Sequence, residues 1–220
     1  LYGEDFTGSY PLSSSISREF ITQFPASTPP TSSLRITALK SAMEAYTYWS
    51  PRYQFSSSNP TYGDWGAKTP INLISIPSIF YGSSINKQNG SVSLKYYISG
   101  SLIGELQDIR RNGELIQVGP SGSTGSGSVA GIVLYNEGFI LLTGSWGLED
   151  GVARDYNVPA TLTTSSWIYY GAGMNDDSGS NIPFVNYRMD FEGVNYIETL
   201  TMLAHAEKGE FNHSNNPTYT

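Results

Sequence analysis

The sequence contains no cysteine, which excludes a disulfide framework, a thiolate metal site and a cysteine nucleophile. Charge is scarce: Asp, Glu, Lys and Arg make up 14% of the 220 residues, with 12 basic against 19 acidic side chains and a net charge of −7. A nucleic-acid partner needs clustered Lys and Arg to neutralise phosphates. The only adjacent basic pair is Arg110-Arg111, so no nucleic acid is expected. No apolar run approaches the length that spans a bilayer. The opening "LYGEDFTGSY" has no initiator Met, basic segment or apolar segment, so it is not an intact signal peptide. It reads as a trimmed or partial chain.

What the chain has instead is hydroxyl and aromatic surface. There are 16 Tyr, 9 Phe and 4 Trp, alongside 23 Gly and 12 Pro. Few charges with many Ser, Thr, Gly and Tyr is the composition of a β-rich protein with a neutral exterior. Residues 1–33 are rich in Ser, Thr and Pro and predict an irregular, extended arm. The stretch 34–49, "LRITALKSAMEAYTYW", predicts a helix: Leu34, Ala38, Ala42, Met43, Tyr46 and Trp49 recur at three- and four-residue steps, and Pro51 stops it. Ser32 or Ser33 is placed to cap its start.

Beyond a long loop, the pattern changes to strands. "INLISIPSIFYG" (71–82) is apolar and β-branched. "SVSLKYYIS" (91–99) alternates, with Val92, Leu94, Tyr96 and Ile98 on one face. Asn112-Gly113 predicts a hairpin within 101–119, and Asn136-Glu137-Gly138 a second within 129–146. "SGSTGSGS" between them reads as a flexible link. Strand-like spacing continues through 160–202. About eight strands without interleaved helices predict an antiparallel β-sandwich or barrel-like domain over 34–220.

Catalytic signatures are weak. No Ser has Gly two residues away on both sides, as a hydrolase nucleophile elbow requires. "GPSGSTGSGS" is not followed by Gly-Lys-Ser/Thr, and its Gly125, Gly127 and Ala130 lead into a strand pattern rather than a helix. Asp176, Asp177, Ser178 and Asn181 offer oxygen ligands for Ca²⁺, yet the position of a bidentate Glu is taken by Tyr187 or Arg188. They read as an acidic turn. His205 and His213, with Glu207 and Glu210 between them, do not by spacing alone form a metal set. Glu105, Asp108, Glu114, Glu137 and Asp155 are the acids that could pair for glycoside hydrolysis. Asn-Pro-Thr-Tyr occurs twice, at 59–62 and 216–219, and reads as turn chemistry. No catalytic, cofactor or metal residue is assigned.

The ordered motifs carry a resemblance. "ALKSAMEAYTYWSPRYQFSSS", "INLISIPSIFYGSSINKQNGSVSLKYYISGSLIGELQDIRRNGELIQV", "VAGIVLYNEGFILLTGSW" and "TMLAHAEKGEFNHSNNPTY" resemble a family of virion structural proteins of tailed bacteriophages, especially contractile-tailed phages of marine bacteria. The likeness covers most of 38–219. It implies a structural component of the tail, baseplate, neck or capsid surface, located in the virion and assembled with other virion proteins and with copies of itself. It implies no catalytic residue or cofactor, and a chain continuing beyond the Asn-Pro element at Phe211–Pro217. Two other readings stand beside it. One is a glycan-binding domain that stacks host-surface sugars on Trp65 or Trp146; the other is a secreted β-sandwich polysaccharide hydrolase.

Overall fold

The computed structural model describes residues 4–7, 17–21, 36–59, 65, 68, 70–76, 84–85, 91–149, 152–157, 160–174, 185–195 and 200–202. The fold is mainly β, as the alternation predicts. In chain order the strands are β1 (Glu4–Thr7), β2 (Ser17–Ile21), β3 (Ile71–Ser75), β4 (Ser84–Ile85), β5 (Ser93–Ile98), β6 (Ser101–Gln107) and β7 (Glu114–Gly119). Then come β8 (Val129–Leu134), β9 (Phe139–Leu142), β10 (Ala153–Asn157), β11 (Ala160–Thr164), β12 (Val185–Asp190) and β13 (Glu192–Asn195). Eight of them form one curled antiparallel sheet, in the order β12-β5-β6-β7-β8-β9-β3-β2. β1, β13 and β4 make a small second sheet, and β10 with β11 a two-stranded ribbon.

The period-two pattern drives the curl. Val92, Leu94, Tyr96 and Ile98 are all buried while Ser93, Lys95 and Tyr97 are only half-buried, so β5 turns one face inward. β7 and β8 are buried along nearly their whole length, which marks the middle of the sheet as covered on both sides. Register shifts between Tyr96 and Tyr97, Glu105 and Leu106, and Leu115 and Ile116 are bulges that increase local bending.

β2 and β12 end the sheet without pairing to each other. A segment running from Ser165 through a 3₁₀ turn at Trp167–Tyr169 to Ala172 spans between them. Arg18 of β2 donates to the Tyr170 and Ile168 carbonyls at 2.8 and 3.2 Å, and Asn72 of β3 donates to those of Tyr170 and Trp167 at 2.8 and 3.3 Å. On the other edge, the Tyr170 hydroxyl donates to the Arg188 carbonyl and that of Tyr187 to the Ala172 carbonyl, each at 2.7 Å. Trp167 and Tyr170 of this segment are fully buried in the core. Gly104 makes room for it: a Cβ there would lie 2.6 Å from the Trp167 ring.

Close strand packing makes a second glycine irreplaceable. A methyl group on Gly131 of β8 would run into the Leu141 carbonyl oxygen and the Leu142 side chain. Because the obstacle includes backbone, the strand itself must shift. Gly131→Ala is expected to cost about 1–3 kcal/mol, in the range of overpacked cores, seen as a lower urea midpoint at unchanged slope.

Three differences from the sequence expectation have physical causes. The regular helix is only α1, Lys40–Ala45, rather than 34–49. Residues 36–38 are helical just ahead of it. After it, Tyr46, Thr47 and Trp49 make three-residue backbone bonds to Met43, Glu44 and Tyr46. These bulky or β-branched residues favour a helix poorly, and the Tyr46 ring is anchored by tertiary bonds, so the chain tightens instead of continuing. The buried stripe nevertheless follows helical spacing, through Ile36, Met43 and Tyr46; Ser32, Ser33 and Leu34 lie outside the described residues. Within 1–33, the described residues are strand: β1 pairs with β13, and β2 pairs with β3 over five residues. The Ser/Gly link at 121–128 is a hairpin loop folded into successive turns, with Ser123, Ser126 and Ser128 bonding back to Pro120, Ser123 and Gly125.

Candidate functional site

The densest polar chemistry lies where 46–53 packs against the β6–β7 and β8–β9 turns. The first turn runs from Asp108 to Gly113, wider than the two-residue hairpin that Asn112-Gly113 suggests, with Arg111 at φ 53° and Gly113 at φ 84°. Gly113 is required twice over, by that left-handed backbone and because the Tyr53 hydroxyl occupies the place of a Cβ. Asp108 is fully buried. It accepts from the Tyr135 hydroxyl and, at 3.3 Å, from the Gly113 N–H.

Glu114, also buried, accepts from Ser50 Oγ at 2.6 Å and Arg110 Nη1 at 2.8 Å, with Arg52 Nε at 3.5 Å. Tyr53 donates to the Val133 carbonyl. Burial, and then the Asp108 charge, push the Tyr53 phenol far above its ordinary range. Tyr46 stacks on Tyr53 at 5.2 Å, donates to Glu137 at 2.7 Å and accepts from the Asn136 N–H at 3.0 Å. Burial likewise raises its pKa.

The structure therefore gathers three of the five candidate acids, Asp108, Glu114 and Glu137, around the Tyr46–Tyr53 pair. The other two lie elsewhere. Glu105 forms a cross-strand pair with Lys95 at 3.6 Å and accepts from Gln107 at 2.8 Å. Asp155 stands on the β10–β11 ribbon opposite Leu162. Each gathered carboxylate is occupied by protein donors, and Asp108 and Glu114 are closed to solvent. This suits them to fixing two turns against the 46–53 segment.

A second polar array runs through the interior. The Tyr96 and Tyr156 hydroxyls bond to each other. Tyr156 bonds on to Ser165 Oγ at 2.8 Å, and Ser165 Oγ to Glu149 at 3.1 Å. Arg154 closes the chain with a two-pronged contact to Glu149 at 2.8 and 3.1 Å, and those bonds raise the Arg154 pKa. Burial raises both phenols. A protonated phenol in this setting donates a hydrogen bond but does not serve as a base near neutral pH.

Trp65 and Trp146 do not offer bare rings. Trp65 is 2% exposed and donates its indole N–H to the Arg52 carbonyl at 2.8 Å. Trp146 is half-buried and donates to Gln117 Oε1 at 2.7 Å. No group of three or more His, Asp or Glu able to hold a metal occurs among the described residues. The 175–181 turn, His205, His213 and the second Asn-Pro-Thr-Tyr lie outside them, as do Pro60, Thr61 and Tyr62 of the first. Sequence reading passed over Tyr135, Ser50 and Gln117. The first two follow from no local pattern, and a polar residue inside the strand "ELIQVG" was the only hint of the third. Comparison with family models, with curated proteins and with solved structures returns no match.

Proposed function

We propose that this chain is a structural component of a tailed-bacteriophage virion, acting through packing against other virion proteins and against copies of itself. In this reading it carries no catalytic role. The observation that supports it best is how the interior polar groups are used. Asp108, Glu114, Gln117 and the phenols of Tyr53, Tyr96, Tyr156 and Tyr170 all bond to protein partners. Such groups lock a shell together, whereas a catalytic site keeps an acid, base or nucleophile aimed at open space.

Two further features agree. The motif series along 38–219 resembles virion structural proteins. Large apolar side chains stand out on a charge-poor exterior, among them Tyr48, Ile109, Leu162 and Met202 at 74, 57, 71 and 83% exposure. Assembly contacts cover such side chains with little desolvation of ions. Quantitative mass spectrometry of purified particles is expected to find the protein at a fixed copy number per particle. Its presence in host lysate but never in particles would overturn the reading.

A further inference from the structure

The sequence contains two Asn-Gly pairs, Asn89-Gly90 and Asn112-Gly113. The first lies outside the described residues, and the second closes the β6–β7 turn. In such a pair the main-chain nitrogen of the glycine can attack the side-chain amide before it. Glycine allows this best, because it has no Cβ to obstruct the approach and leaves the backbone free to turn. Neither the packing around Tyr46 and Tyr53 nor the proposed function uses this chemistry.

In the folded turn both reacting groups are held. The Gly113 N–H donates to Asp108 Oδ1 at 3.3 Å, and the Gly113 carbonyl accepts from the Val133 N–H at 2.9 Å. The Tyr53 hydroxyl packs against the same residue, where a Cβ would stand. Asn112 Oδ1 accepts from the Glu114 N–H at 3.2 Å, the local bond by which an asparagine stabilises a turn. Attack requires Asn112 to carry its amide carbon onto the Gly113 nitrogen, which breaks that bond. It also requires the nitrogen to lose the proton that Asp108 accepts, and an adjacent carboxylate opposes the negative charge that results. Gly113 is buried and Asn112 half-buried, so a base from solvent reaches the nitrogen only when the turn opens.

We propose that Asn112-Gly113 is a site of spontaneous deamidation whose rate is set by opening of the β6–β7 turn. In the open turn, hydroxide takes the Gly113 proton and the nitrogen attacks Asn112 Cγ. The N–Cγ bond forms, the Cγ–Nδ2 bond breaks, and Nδ2 leaves as ammonia with a proton from water, closing a succinimide ring. Water then opens the ring. Cleavage at Cγ gives aspartate, and cleavage at the Asn112 main-chain carbonyl gives isoaspartate, with the chain running through the former side chain. Either way the net change is one water taken up and one ammonia released. The products differ in fit. Aspartate keeps an oxygen for the Glu114 N–H, whereas isoaspartate adds a methylene to the main chain just before Gly113. That displaces Gly113 from Asp108, Tyr53 and Val133, and so loosens the turn from the 46–53 segment. The inference does not depend on the proposed role in a virion.

The test holds the full chain at one mildly alkaline pH, without urea and in enough urea to unfold it. Peptide mapping by mass spectrometry follows Asn112 and Asn89 separately, and isoaspartyl methyltransferase labelling counts the isoaspartate. In urea both Asn-Gly pairs are expected to convert at similar rates. In the native protein Asn112 is expected to convert more slowly by about tenfold or more, because the open turn is a minority state. The aspartate and isoaspartate forms are then separated and returned to native buffer. The aspartate form is expected to keep the hydrogen-exchange protection of the Val133 amide, and the isoaspartate form to lose it. Asn112 left intact in urea while Asn89 converts overturns the site. Equal rates for Asn112 in native and unfolded protein overturn the gating, and an isoaspartate form with native protection at Val133 overturns the effect on the turn.

Discussion

Raising the pH above about 10, the ordinary phenol pKa, is expected to unfold the protein in one cooperative step, with tyrosinate absorbance and loss of β-structure developing together. Tyr53, Tyr96, Tyr156 and Tyr170 are fully buried, and desolvation is the largest cause of the upward shift in each. Tyr46 and Tyr187 shift the same way. The folded state keeps protons that the unfolded chain releases above about pH 10. The stability these phenols contribute is complete below that pH and is lost as the pH rises beyond it.

Each such phenol removes about 1.4 kcal/mol per pH unit once the unfolded chain is ionised. Four acting together exhaust a typical stability of about 5–15 kcal/mol within roughly one to three pH units. Lys68 acts in the opposite direction: its folded pKa is depressed to about 8, so the unfolded chain binds the extra proton and stability rises from there towards about pH 10. Stability in urea should therefore climb gently on the alkaline side before falling steeply. Tyrosinate signal from the whole set of phenols appearing while circular dichroism stays native would contradict this account.

The parts of the fold legible in sequence were those whose causes are local. Alternation in 91–99 fixed which face of β5 is buried, since side chains of successive residues must point to opposite faces. Gly138 and Gly113 marked two hairpins because a left-handed backbone favours glycine, although the first turn proved wider than its Asn-Gly pair suggests. What failed depends on distant partners. "SGSTGSGS" has the composition of a flexible link, yet its turns are held by Gln117 and by Trp146 packed against Gly125. Met43 and Tyr46 have helical spacing, but the Tyr46 phenol is claimed by Glu137 and Asn136, some 90 residues away. The acids of the candidate site could be named singly. Their convergence on Tyr53 could not, because the curl of the sheet brings them there.

Gln117 is expected to be the most costly polar side chain to replace. It is 1% exposed, and all of its hydrogen-bonding capacity is used. Oε1 accepts from the indoles of Trp146 at 2.7 Å and Trp167 at 2.9 Å. Nε2 donates to Ser123 Oγ at 2.9 Å and to the Thr124 carbonyl at 2.8 Å. Leu has nearly the same volume, so Gln117→Leu leaves little cavity and isolates the polar loss. The Thr124 carbonyl can turn to water, since that residue is exposed, but the Trp167 indole is fully buried and has nowhere to go. An orphaned buried donor costs about 1–3 kcal/mol. With two indoles affected, and the 121–128 loop released, Gln117→Leu should cost about 3–5 kcal/mol in urea unfolding.

Gln117→Glu separates the two halves of the side chain. It keeps an acceptor for both indoles but loses the donor to Thr124 and buries a charge, which raises its own pKa. A carboxyl raised in the folded state is tolerated below its unfolded pKa of about 4.3 and penalised as the pH rises through that value. Gln117→Glu should therefore approach native stability in mild acid and fall well below it at neutral pH, whereas the deficit of Gln117→Leu should not follow that titration. Coupling supplies a last check: removing the Trp146 indole with Trp146→Phe should cost less in the Gln117→Leu background than in the native protein, because the bond it breaks is already gone. If Gln117→Leu instead lies within about 0.5 kcal/mol of native, as ordinary surface changes do, and amides 121–128 keep their hydrogen-exchange protection, then the loop is ordered by its own turns and Gln117 merely fills space.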